Sequence, residues 1–170
     1  MIKAAKSIVD GRIFQCDVGA FNDDVFVYIA AFGIFTDVSY ETRQDMKNVL
    51  GHMAYILEGM RRLSAIKAYR MKVEGDGILV EGEFLFGMNS TSVGGFKRIT
   101  GKYVELDDGV FEVTLIRKPM NALELNQIMA ALVSGNINTE SMYCFKTSFL
   151  RIESEDTVAW TLDGEFGGKH

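Results

Sequence analysis

Lys67 to Gly87, KAYRMKVEGDGILVEGEFLFG, opens with a strict alternation. Lys67, Tyr69, Met71 and Val73 fall on one side and Ala68, Arg70 and Lys72 on the other, the period of two that a half-buried strand requires. Gly75-Asp76-Gly77 then supplies residues that tolerate the backbone of a tight corner, so the chain is predicted to fold back along Ile78 to Gly87 as a β-hairpin.

The same rhythm extends outward on both sides. Upstream, Ile8, Arg12, Phe14, Cys16 and Val18 sit among polar neighbours as in a half-buried strand, with Gly11 placed for a hairpin. Val25 to Phe32 is almost wholly apolar and ends at Gly33, which predicts a central strand covered on both faces. Downstream, Val110 to Lys118 reads as a strand closed by the sole proline, Pro119, whose missing N–H cannot serve a sheet ladder. Met142 to Ser154 and Thr157 to Leu162 read as two more, joined by the turn Glu155-Asp156. Two segments change period. Met46, Val49, Leu50, Met53, Ile56, Leu57 and Met60 recur at three- and four-residue steps and predict a long amphipathic helix over about 43–63. Asn121 with Glu124 three residues on is a capping-box arrangement, and Leu125, Ile128, Met129 and Leu132 follow at helical spacing, so a second helix is predicted over about 121–134. The expected fold is mainly β with helical insertions (α+β), an antiparallel β-sandwich or partly closed barrel built as a single domain over residues 1–170.

Composition narrows the function. At 170 residues and 48% hydrophobic content the chain can bury a substantial core. A net charge of -5 argues against nucleic acid as a partner, because neutralising phosphate needs a surplus of lysine and arginine. No stretch reaches the roughly 20 apolar residues of a membrane-spanning helix, and Met1 is not followed by a cleavable leader pattern, so the cytoplasm is the expected compartment. Cys16 and Cys144 show no metal-ligand spacing, and buried thiols or a mutual disulfide are both open.

Three short motifs can carry chemistry. Asp107-Asp108-Gly109 is a turn by composition, and a carboxylate beside turned carbonyls is also how oxygen ligands for magnesium are assembled. Asn89 to Phe96 contains Gly94-Gly95, which permits close approach of a ligand or serves a bulge, and lacks the lysine and Ser/Thr of a P-loop. In Asp163-Gly164-Glu165 two acids separated by one residue would project to the same side of an extended backbone and raise one another's proton affinity, as a general base requires; an exposed turn uses the same letters.

Taken in order, AAFG at Ala30 to Gly33, KNVLGHMAYILEGMRRL at Lys47 to Leu63, NSTSVGGF at Asn89 to Phe96, LDDGVFEV at Leu106 to Val113, the helix before Gly135, and DGE at Asp163 to Glu165 resemble the C-terminal domain of the bacterial diacylglycerol kinase and related lipid kinase family, within the superfamily of sphingosine and ceramide kinases. The resemblance implies ATP-dependent phosphorylation of a lipid hydroxyl, most plausibly that of diacylglycerol to give phosphatidic acid. It implies Asp163 as general base with Glu165 in support, both at the mouth of a cleft. Asn89, Gly94 and Gly95 would lie at the substrate. Structural Mg2+ would be held by the Asp108 side chain with main-chain oxygens of Val110 and Glu105, and Met, Phe and Ile residues around the long helix would line an acyl-chain cleft. Its partners would be the lipid, the inner face of the membrane, a second copy of the chain, and an N-terminal nucleotide-binding domain. The GGDGT motif of that domain is absent from these residues, so both ends look cut and the piece alone would be inactive. Two alternatives stay open: a non-catalytic lipid- or metabolite-binding β-sandwich, and an enzyme like the NAD kinases.

Overall fold

A computed structural model of the chain describes residues 6, 8–11, 13, 15–33, 67–89, 92–93, 96–97, 105–134 and 139–170. The alternation at Tyr69 becomes strand β4 (Tyr69–Gly75), with Tyr69, Met71 and Val73 buried and Arg70, Lys72 and Glu74 exposed. β4 turns at Asp76-Gly77 into β5 (Ile78–Asn89), the expected hairpin, paired antiparallel from Tyr69↔Phe84 to Gly75↔Ile78.

β5 has three partners. It pairs with β4 along Ile78 to Phe84, with β3 (Ala30–Gly33) along Phe86 to Asn89, and with β8 (Phe111–Arg117) between Phe84 and Asn89. The main path of the eight-stranded sheet is β10-β4-β5-β3-β11-β12, with β10 (Arg151–Ser154), β11 (Ala159–Leu162) and β12 (Glu165–Lys169), while β8 branches from β5 and carries β9 (Met142–Thr147). Every pairing is antiparallel, and among the described strands the path is open, with no barrel closure. Two small hairpins flank it: β1 (Gly19–Phe21) with β2 (Asp24–Phe26), and β6 (Ser92–Val93) with β7 (Phe96–Lys97).

Phe32, Tyr69, Met71, Phe84, Val113, Leu115 and Trp160 meet in one core. Phe32 is its hub, edge-on to Trp160 at 5.0 Å and to Tyr69 at 6.1 Å between ring centroids. Gly87 makes room for it: a Cβ there would fall 2.3 Å from Phe32 Cε1. Helix α1 (Ala122–Ser134) begins as its capping box dictates. The Glu124 N–H donates to Asn121 Oδ1 at 2.9 Å, the Met120 N–H donates to Glu124 Oε2 at 2.8 Å, and Leu125 and Ile128 are buried beneath.

Four expectations change. The stretch from Ile8 to Val18 is not a half-buried strand: residues 8–10 are helical and Ile8, Val9 and Ile13 are exposed, the strand starting only at Gly19. The apolar run Val25 to Phe32 is divided into β2 and β3, because the amides of Val27, Tyr28 and Ile29 turn to a carboxylate instead of a neighbouring strand. Met142 to Ser154 is two strands broken at Ser148 to Leu150. Cys16 and Cys144 are free rather than paired and both residues are exposed, but the Cys144 sulfur itself turns inward, 3.7 Å from Thr114 Oγ1, where partial burial pushes the thiol pKa up. The predicted helix over 43–63 lies outside the described residues.

Candidate functional site

Asp163 and Gly164 form the two-residue corner between β11 and β12, both at positive φ (50° and 90°), the left-handed pair of a type I′ hairpin, and Leu162 pairs with Glu165 across it. The corner aims the Asp163 carboxylate back at the break between β2 and β3. The Val27 N–H donates to Oδ2 at 2.8 Å, and the N–H groups of Tyr28 and Ile29 donate to Oδ1 at 2.7 and 2.8 Å. The Asp163 N–H in turn donates to the Ile29 carbonyl at 2.8 Å. Partial burial opposes the charge on Asp163, but the amides of Val27, Ile29 and Tyr28 together outweigh it and hold its pKa below the ordinary carboxylate value.

Asp163 thus becomes more acidic, not less, and the expectation of two acids raising one another's proton affinity is overturned. Its premise was extended backbone, and the left-handed corner at Asp163 and Gly164 breaks that geometry. Glu165 opens β12 as an exposed residue.

Beside this corner the sheet encloses a cavity of about 820 Å³ lined by Phe26, Phe32, Met71, Phe111, Ile152 and Trp160 among others. That size falls within the ~300–1,000 Å³ usual for ligand sites. Its described walls mix these aromatics and aliphatics with polar residues, among them Asp17, Asn22, Ser148, Glu153 and His170. Asp163 and Glu165 are not among its lining residues; the link is β11, which carries Trp160 in the wall and ends immediately before the acid.

Asp108 lies on an exposed turn that the Asp17 carboxylate fastens by accepting the Gly109 N–H at 2.7 Å. Asp108 Oδ2 receives the Lys146 ammonium at 3.0 Å, and Oδ1 accepts the Val110 N–H at 3.3 Å. The lysine hydrogen bond is the main cause of a lowered Asp108 pKa, and the same bond raises that of Lys146. Lys146 also sits 3.1 Å from Oε1 of buried Glu112, an ion contact without hydrogen-bond alignment. The Asp108 carboxylate is thus bridged to the Lys146 ammonium, and among the described residues no group of three or more His, Cys, Asp or Glu side chains is clustered as a metal site would be.

Asn89 ends β5 opposite Ala30 and Val113. Val93 pairs with Phe96, and Gly94 and Gly95 between them lie outside the described residues. Sequence reading missed the tie from Asp163 to the amides of Val27 to Ile29, the Lys146 bridge, and a clasp between Asp76 and Ser148; each joins residues far apart in sequence, and no local pattern announces it.

The described strands thus define an open, mainly antiparallel β domain with a cavity beside the sheet and an amide-held carboxylate at a hairpin corner. Residues 30–170 match the family described as the YegS C-terminal NAD kinase beta sandwich-like domain, and the chain belongs to it. It is 31% identical over 170 residues to a diacylglycerol kinase of Bacillus subtilis (strain 168), covering 99% of this chain and 56% of that protein. It is 32% identical over 173 residues to a diacylglycerol kinase of Staphylococcus carnosus (strain TM300), with the same two coverages. A solved structure from Bacillus anthracis str. Sterne superposes with a TM-score of 0.73 at 21% identity over 99% of this chain and 56% of that one, which establishes the likeness of fold. The chain therefore spans about half the length of the curated relatives it matches.

Proposed function

We propose that this chain is the acceptor-binding and catalytic-base half of an ATP-dependent lipid kinase that phosphorylates the hydroxyl of diacylglycerol to give phosphatidic acid. The observation that carries the reading is the Asp163 carboxylate, held ionised by three amides at the end of the strand that places Trp160 in the apolar cavity. Oδ2 takes one amide where Oδ1 takes two, so Oδ2 keeps the acceptor capacity to orient and deprotonate an incoming hydroxyl. A carboxylate of low basicity suffices, because phosphoryl transfer proceeds through a loose transition state in which positioning the nucleophile matters more than strong proton abstraction. Glu165, exposed beyond the corner, adds negative charge near the site.

The cavity is the place for an acyl chain, which its aromatic and aliphatic lining residues can cover, with polar residues such as Asn22, Ser148 and His170 also at its walls. Asn89, Gly94 and Gly95 would flank the acceptor. ATP supplies the phosphoryl group and Mg2+ neutralises its charge; in this reading the nucleotide is held by an N-terminal domain in the length the relatives have and this chain does not span. No helix among the described residues is long and apolar enough to cross a membrane, which suits a cytoplasmic protein meeting its lipid at the inner membrane face. The test offers the complete protein ATP with diacylglycerol, a sphingoid base and NAD in turn. Phosphatidic acid is the expected product, its yield collapsing in Asp163→Asn; phosphorylated NAD, or an Asp163→Asn enzyme as fast as wild type, would refute the reading.

A further inference from the structure

The connection from β9 to β10 is three residues long, Ser148 to Leu150, and it joins two strands with different neighbours: β9 lies on β8, and β10 lies on β4. It must therefore pass from one branch of the sheet to the other, and its residues Ser148, Phe149 and Leu150 all line the cavity. Phe149 and Leu150 are also 49% and 37% exposed, so they form a rim, with one side toward the hollow and one toward water.

The corner of the β4–β5 hairpin clasps that rim. The Ser148 N–H donates to Asp76 Oδ2 at 2.6 Å and the Ser148 hydroxyl donates to the same oxygen at 2.8 Å. The Asp76 N–H donates to Thr147 Oγ1 at 3.0 Å, and that hydroxyl donates to the Phe149 carbonyl. The two elements are seated so closely that a Cβ on Gly75 would lie 2.8 Å from Thr147 Oγ1. The Ser148 backbone hydrogen bond, then its hydroxyl, hold the Asp76 carboxyl below its ordinary value, consistent with a clasp made by the anion.

We propose that Asp76 is a positioning residue that fixes the Phe149-Leu150 rim and so controls the entry and exit of an acyl chain at the cavity; this rests on the lipid reading above. The clasp touches no part of the Asp163 corner. Its loss should loosen the rim and leave the phosphoryl-transfer groups in place.

Trp160 is the single tryptophan of the chain and stands in the cavity wall, so its fluorescence reports occupancy without a label. The experiment presents the protein with diacylglycerol brominated on one acyl chain in detergent micelles, then chases with unbrominated lipid and follows recovery of emission. Wild type is expected to be quenched and to recover slowly. Asp76→Asn should recover about tenfold faster, the effect of weakening hydrogen bonds to a charged group, when both proteins are compared at a temperature where circular dichroism shows each fully folded. Ser148→Ala, which removes the hydroxyl donor and keeps the amide, should fall between, and it decides the matter if Asp76→Asn does not fold. Recovery in both variants at the wild-type rate overturns the role of Asp76 while leaving the lipid reading intact. Absence of quenching in wild type overturns both.

Discussion

Asp163 ties a chemical role to a structural one. Its carboxylate accepts three amides from the break between β2 and β3, so replacement by Asn removes the candidate base and leaves the Val27 N–H facing an NH2 group, while the remaining oxygen can still accept from Tyr28 and Ile29. Asp163→Asn in the complete enzyme is expected to lower kcat by about a hundredfold or more, the usual contribution of a positioned acid-base group, in a steady-state assay. Glu165→Gln, altering an exposed charge beyond the corner, should cost at most about tenfold because such charges are screened by salt. The pH dependence has a definite sign. A folded pKa below the ordinary 3.8 means that Asp163 stabilises the fold fully above that value and loses the contribution as pH falls through its lower folded value. Asp76 and Asp108 act in the same direction. Acid titration followed by circular dichroism should therefore show Asp163→Asn unfolding at a higher pH than wild type.

At the scale of elements, β5 and the Lys146 bridge carry the strain of substitution. Lys146 faces a buried glutamate, whereas Lys118 pairs with Glu83 where both side chains are about half exposed. Lys146→Gln should lower the melting temperature clearly more than Lys118→Gln, since only the first leaves a buried carboxylate without its cation. Gly87→Ala on β5 pushes a methyl group into Phe32 and should destabilise by about 1–3 kcal/mol in urea unfolding. Much at this scale was legible. The alternation at Tyr69 to Val73 and the capping box at Asn121 and Glu124 are local patterns, and local backbone geometry is what they encode. The break inside Val25 to Phe32 was not legible, because its cause is an acid 135 residues away from Tyr28. For the same reason Asp163 could be picked out by its DGE context while its amide cradle could not. The cleft expected around the helix over 43–63 lies outside the described residues, and the described lining of the cavity comes from segments that meet only in three dimensions.

The whole molecule depends on one packed hub. Phe32 is completely buried where β3, β4 and β11 converge, touching Tyr69 and Trp160. Phe32→Ala should cost about 3–5 kcal/mol and shift the denaturant midpoint of the entire sheet in one transition. Among the described strands, β9, β10 and β12 end the branches of that sheet.

β3 is hydrogen-bonded to β5 on one side and to β11 on the other, so one of its two edges is completed only by a hairpin, β11 with β12, that lies far downstream in the chain. Until that hairpin arrives, β3 has an unsatisfied edge and Phe32 lacks Trp160, whatever the upstream chain has already achieved. Nascent chains stalled before Ala159 should thus be cut readily by protease near Ala30 to Gly33, with resistance appearing only once the β11–β12 hairpin has emerged.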